Sequence, residues 1–149
     1  MKLNTLLSLL IFLLLGFMSC KSTKTSATEN NGMNKSELTE KHWKLVELNG
    51  LLVNETSREP FIAFENEKNR IHGNTSCNNF FGTFELQEKN KIKFSQVGMT
   101  KMACVGNTIE TAFTQAIEST TAYKIDDSSL ILFNAFGNKI AHFKAKIAK

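Results

Sequence analysis

Read for the spacing of its apolar positions, the chain divides into three unlike stretches. From Leu6 to Phe17 the apolar residues run together, broken only by Ser8 and Gly16. From Lys21 to Gly32 the chain is rich in Lys, Ser, Thr and Asn, a composition that cannot bury a core. From Leu38 onward apolar and polar residues alternate with the two-residue period of strands.

The third stretch resolves into elements. His42 to Leu48 places Trp43 and Leu45 on one face, and Val46 and Leu48 then take the opposite parity, which predicts a bulge or burial on both faces. Asn49-Gly50 is a hairpin turn signal. Phe61 to Phe64 follows Pro60 as a short strand, and Arg70-Ile71-His72 begins another that Gly73 ends. Phe80 to Leu86 sets Phe80, Phe84 and Leu86 on one side. Lys91 to Ser95 turns Ile92 and Phe94 inward and Lys91 and Lys93 outward. Ile109, Phe113, Ala116 and Ile117 form a single helical stripe, with Asn107 as N-cap and Glu110 completing a capping box. After it come strands around Tyr123 and Ile125, over Leu130 to Phe133, and from Lys139 to Ile147 with Ala141, Phe143, Ala145 and Ile147 on one face. Asp126-Asp127-Ser128 and Asn134 to Asn138 supply the turns between them. The expected architecture is α+β: a curled antiparallel β-sheet, or partly open β-barrel, of about eight strands with one packed α-helix.

The opening stretch reads as an address. Lys2 precedes an apolar run too short to cross a bilayer as a permanent helix, the pattern of a secretory signal peptide. Its end, Phe17-Met18-Ser19-Cys20, resembles a bacterial lipobox, in which the Cys is acylated through sulfur and becomes the new N-terminus. Ser19 and Cys20 fit the pattern, whereas Phe17 and Met18 stand where Leu and Ala or Ser are common. This divides the chain into a leader at 1–19, a flexible tether at 20–37 carrying lipidated Cys20, and a folded domain at 38–149. Such a tether spans about 20–25 Å root-mean-square, holding the domain just above a membrane. Lys21 after the Cys points to the outer membrane rather than the inner.

With 149 residues, 42% hydrophobic and 21% charged, the chain suits one folded domain and excludes a disordered one. The net charge of +4 is mild and Lys and Glu are interspersed, which argues against a nucleic-acid partner. Lys89, Lys91 and Lys93 line one solvent face, read as protection of a strand edge or as contact with anionic lipid heads. The sequence contains neither Gly-x-Ser-x-Gly nor His-Glu-x-x-His, so no hydrolase motif is present. No catalytic residue, cofactor or metal is expected.

Cys77 and Cys104 remain. In an exported domain two such residues most often form a structural disulfide, which closes a loop of about 28 residues and contributes about 3–4 kcal/mol. Three other readings stand beside it. One is a redox-active pair, although the Cys-x-x-Cys spacing is absent. Another is a zinc site drawing on His72. The last is a nucleophilic Cys served by His42, His72 or His142.

Three stretches carry a resemblance. They are Trp43 to Gly50; Ile71-His72-Gly73-Asn74-Thr75-Ser76-Cys77-Asn78-Asn79-Phe80-Phe81-Gly82-Thr83-Phe84; and Thr100-Lys101-Met102-Ala103-Cys104. In that order they resemble the META domain, the family that includes the heat-shock lipoprotein HslJ, over about residues 40 to 147. Ser76 stands where Gly often precedes the Cys, so a left-handed backbone there would be mildly strained. Phe84 stands where Tyr is common. The resemblance implies a secreted or envelope-associated protein, sometimes heat-induced and linked to drug tolerance or virulence, and brings no catalytic residues. The expected function is therefore a non-enzymatic, monomeric envelope lipoprotein that binds a protein or a small ligand. One alternative is a carrier of an apolar ligand or lipid, with Asn78, Phe80, Phe84 and Phe94 as candidate binding residues. The other is a thiol-disulfide redox protein using Cys77 and Cys104.

Overall fold

The computed structural model describes residues 35–54, 56–104 and 109–146. The leader, Cys20, most of the tether, Asn107 and Ile147 lie outside the described residues. A short helix, α1, occupies residues 35–39. The strands are β1 (His42–Leu48), β2 (Leu51–Leu52), β3 (Phe61–Glu65), β4 (Arg70–Asn74), β5 (Asn79–Gln87), β6 (Lys91–Met99), β7 (Thr120–Asp126), β8 (Ser129–Asn134) and β9 (Lys139–Lys146). A 3-10 turn at Glu67–Asn69 joins β3 to β4, and helix α2 (Ile109–Ser119) lies between β6 and β7.

Neighbouring strands pair antiparallel from β3 through β9, β1 pairs with β3, and β9 returns to pair with β1. The sheet therefore closes into an eight-stranded barrel, with β2 as an extra strand hairpinned onto the end of β1. This corrects two expectations. The barrel is closed rather than partly open, and the protein is mostly β, so an α+β label fits only roughly. Closure removes the free edges that an open sheet would have to protect. The weakest seam is β6 to β7, where the ladder is the single pair Lys91↔Ala122.

Alternation explains the strands, and bulges explain where it breaks. Trp43 and Leu45 point inward, the register with β9 shifts between Leu45 and Glu47, and Leu48 then points inward as well. Asn49 and Gly50 both have positive φ, 50° and 82°, as a tight β1–β2 hairpin requires. In β6, Gln96 has φ 54° and the register against β5 shifts beside it, which lets the strand run on to Met99, past the expected end at Ser95. Strand β4 likewise continues through Gly73 to Asn74.

The interior is filled with side chains. Trp43, Leu45, Ile62, Phe113, Leu130, Leu132 and Phe143 are wholly buried. Phe113 reaches down from α2 to meet Phe80 at 5.7 Å and Phe143 at 5.9 Å between ring centres, pairs worth about 0.5–1.5 kcal/mol each beyond their area. Helix α2 closes the barrel end at which β4 meets β5. Helix α1 lies at the other end: Leu38 is buried, its carbonyl accepts from Trp43 Nε1 at 3.0 Å, and Lys35 Nζ donates to Asn66 O. Residues 35–37, assigned above to the tether, thus belong to the fold. Among the described residues no helix is long and apolar enough to cross a membrane.

Candidate functional site

The chemistry-bearing residues converge on the β4–β5 turn. Gly73 introduces it, and the reason for glycine is space: a Cβ there would lie 2.2 Å from the Phe61 carbonyl oxygen and 2.4 Å from the Phe80 ring. Asn74 Oδ1 then accepts from Ser76 N at 2.8 Å, an Asx turn that carries Ser76 at φ 82°. That is the left-handed backbone which makes glycine common at this place. Thr75 N donates to Asn78 O at 2.8 Å and closes the turn. The neighbouring loop clamps it from outside: Ser57 Oγ donates to Ser76 O and Arg58 Nη1 donates to Cys77 O.

Asn78 is the centre of the arrangement. It is buried, and its amide uses both ends. Oδ1 accepts from Thr100 Oγ1 at 2.7 Å and from Met102 N at 2.8 Å. Nδ2 faces Glu110 Oε2 at 2.9 Å, Met102 O at 3.2 Å and Cys104 Sγ at 3.2 Å. Three segments distant in sequence, the β4–β5 turn, residues 100–104 and the first turn of α2, are thereby tied to one side chain. Cys77 and Cys104 fasten two of them again: they are at disulfide distance, with Cα atoms 6.1 Å apart, inside the span a bridge permits.

Glu110 completes the knot. Its Oε2 also accepts from Thr75 Oγ1 at 2.9 Å and Asn78 N at 3.3 Å. Burial raises its pKa, but the Asn78 amide, the Thr75 hydroxyl and the Asn78 backbone N–H outweigh that and hold the carboxyl below its ordinary value. Oε2 lies 3.7 Å from Cys104 Sγ. A carboxylate so placed disfavours a Cys104 thiolate, the opposite of what thiol oxidoreductases build around a reactive sulfur.

The remaining candidates lie elsewhere. Phe80 is buried under Phe113, and Phe84 packs edge-on against Phe64 at 5.2 Å. Phe94 is partly buried and 6.1 Å from Phe64. All three are core contacts, and of the four proposed ligand residues only Asn78 belongs to the knot. Each histidine lies beside an acid, His42 by Glu59, His72 by Glu65 and His142 by Glu47, and His142 Nε2 is itself buried with no hydrogen-bond partner among the described residues. Burial lowers the pKa of His42 and His142. Among the described residues none of the three joins the cysteines, so neither the His72 zinc set nor a Cys–His nucleophile forms. Sequence reasoning missed Glu110, Thr75, Thr100 and Arg58 as partners. Thr100 stands in the same short motif as Cys104, which was the available signal.

The surface around the knot is mixed. Phe81 is 58% exposed and Met102 50%. Phe81 covers Gly98, where a Cβ would sit 2.8 Å from its ring. A groove of about 750 Å³ opens beside β1, lined by Lys44, Val53, Asn54, Thr56, Glu59 and Pro60 among others.

Comparison with known proteins fits this geometry. A protein from Burkholderia xenovorans, solved by NMR, superposes with a TM-score of 0.60 at 18% identity, covering 78% of this chain and 88% of that one. A second NMR structure matches with a TM-score of 0.60 at 22% identity, over 74% and 93% of the two chains. A DUF4847 family protein from Bacteroides vulgatus ATCC 8482, solved by crystallography, matches with a TM-score of 0.58 at 14% identity, over 76% and 99%. At these identities the likeness is one of fold. No curated protein matches the chain. The META domain profile matches residues 36–147, from the first turn of α1 through the whole barrel. With the Cys77-Asn78 turn and the Thr100–Cys104 segment tied together as described, the chain belongs to the META domain family.

Proposed function

We propose that this protein is a non-enzymatic, HslJ-like envelope lipoprotein. It is anchored through Cys20 to the outer membrane and acts in stress tolerance by binding a protein or small ligand on its outer surface. The observation that carries this reading is the polarity of the domain. The chain enters at α1, beside the β3–β4 turn at Asn66, while the knot and α2 close the opposite end. A tethered barrel so built turns its rigid, cross-tied end away from the bilayer. There Phe81 and Met102 stand exposed on neighbouring strand and loop.

A carrier function would need space inside the barrel. Trp43, Phe80, Phe113 and Phe143 occupy the interior instead, which favours an external site. The depressed Glu110 beside Cys104 likewise favours a bridge that stays closed over one that cycles.

Two measurements test the proposal. Intact mass of protein purified from membranes should show removal of residues 1–19 and acylation of Cys20; an unmodified, uncut chain contradicts the anchor. Crosslinking in intact envelopes should recover one reproducible partner, lost when Phe81 and Met102 are both replaced by Ser. Repeated recovery of nothing, or of a partner indifferent to that change, contradicts the surface.

A further inference from the structure

Cys77 Sγ, Cys104 Sγ and a Glu110 carboxylate oxygen all lie within 4.8 Å of one another, each half-buried. While the bridge is closed the sulfurs carry no charge and hold no ion. Reduction changes the chemistry, because it leaves two thiols and a carboxylate converging on one point. We infer that reduction of the Cys77–Cys104 bridge creates a binding site for one thiophilic divalent cation of the zinc class, held by both sulfurs and Glu110 Oε2. This goes beyond the anchoring and partner-binding roles and depends on neither.

The distances suit such an ion. Zinc bonds thiolate sulfur at about 2.3 Å and carboxylate oxygen at about 2.1 Å, so a tetrahedral pair has S···O near 3.6 Å. Cys104 Sγ and Glu110 Oε2 stand at 3.7 Å. The two sulfurs need only part to about 3.8 Å once their bond is broken. The surroundings are already arranged as an outer shell. Thr75 Oγ1 and Asn78 Nδ2 hold Glu110 Oε2 in place, and Asn78 Nδ2 at 3.2 Å can donate to a Cys104 thiolate. Outer contacts of this kind orient metal ligands. Among the described residues Glu110 forms no ion pair, so no side-chain cation already occupies its carboxylate. Partial exposure leaves water the fourth position.

The step balances. A dithiol reductant gives two electrons and two protons to the bridge and becomes a disulfide itself, leaving two cysteine thiols. The cation then displaces both thiol protons to solvent as two metal–sulfur bonds form.

The test uses full-length protein reduced by a water-soluble phosphine, which takes oxygen from one water to become the phosphine oxide while that water's two protons go to the thiols, and titrated with Co²⁺. One equivalent should produce thiolate-to-metal absorption in the near ultraviolet, which Zn²⁺ abolishes by displacement. Unreduced protein should give none. Absence of the band after reduction, or the same band without reduction, overturns the proposal. Glu110→Gln keeps both thiols and should weaken Co²⁺ binding at least about tenfold; unchanged affinity removes Glu110 from the site. If reduction unfolds the chain, Zn²⁺ should restore the fluorescence of buried Trp43, and failure to do so counts equally against the site.

Discussion

The side-chain amide of Asn78 donates to Glu110 Oε2 over 2.9 Å and joins the β4–β5 turn to the first turn of α2 across 32 residues of chain. The same amide accepts from Thr100 and Met102. Helix α2 is thereby held over the barrel end by polar contacts above and by Phe113, Ala116 and Ile117 below. Asn78 and the Thr100–Cys104 segment thus help to hold the helix over one end of the barrel.

Replacing Asn78 by Ala should cost about 2–4 kcal/mol. It removes the partner of the Thr100 hydroxyl, the Met102 N–H and part of the Glu110 carboxylate, and each such part-buried hydrogen bond contributes about 0.5–1.5 kcal/mol. Urea unfolding followed by Trp43 fluorescence measures it. A loss below about 1 kcal/mol would mean that the knot is dispensable.

Two glycines should behave differently on substitution by Ala. At Gly73 a methyl meets backbone oxygen and the Phe80 ring, so overpacking should cost about 1–3 kcal/mol or more. At Gly50 nothing lies within 4 Å and φ is +82°, so the cost is the left-handed penalty alone, about 1–2 kcal/mol. Parallel unfolding curves compare them, and G73A should be the more destabilised.

Acid should loosen the domain partly through Glu110. Its folded pKa is lowered from 4.5, so its contribution is complete above that value and is lost as pH falls through the lower folded one. Glu59, lowered by Lys146 and Lys44 against the effect of burial, acts in the same direction. His42 and His142, also lowered, lose stability earlier, as pH falls from 6.5 through their folded values. The difference between wild type and E110Q isolates the first effect: it should shrink below about pH 4 and stay constant above pH 6. A difference independent of pH would contradict the assignment.

Opening the bridge should lower stability by about 3–4 kcal/mol on the chain-entropy account. Cys77→Ser with Cys104→Ser, measured in metal-free buffer, gives the value. Wild type reduced under the same conditions should match it.

Much of this fold is legible from spacing alone. The Ile92/Phe94 and Phe80/Phe84/Leu86 alternations, the Asn49-Gly50 turn and the Phe113 stripe all describe local periodicity, and each reappears in the strands, turn and helix. Barrel closure is not local. Pairing His42 with Lys146 joins the two ends of the domain, and no window of sequence contains both. Helix α1 escaped because Leu38 is a lone apolar residue at the border of a polar run, and its burial depends on the barrel end it covers. The strained turn at Ser76 could be foreseen from the missing glycine. The role of Glu110 could not, because a capping box explains a Glu three residues after Asn107 equally well, and its observed partners Thr75 and Asn78 come from the far side of the chain.

The most direct test is a double-mutant cycle on Asn78 and Glu110. Unfolding free energies of wild type, N78A, E110Q and the double variant should show a coupling of about 1–2 kcal/mol, as expected for residues in direct contact within one hydrogen-bond network. Additivity within about 0.3 kcal/mol would show that the two side chains do not act together, and that the helix is held over the barrel by packing alone.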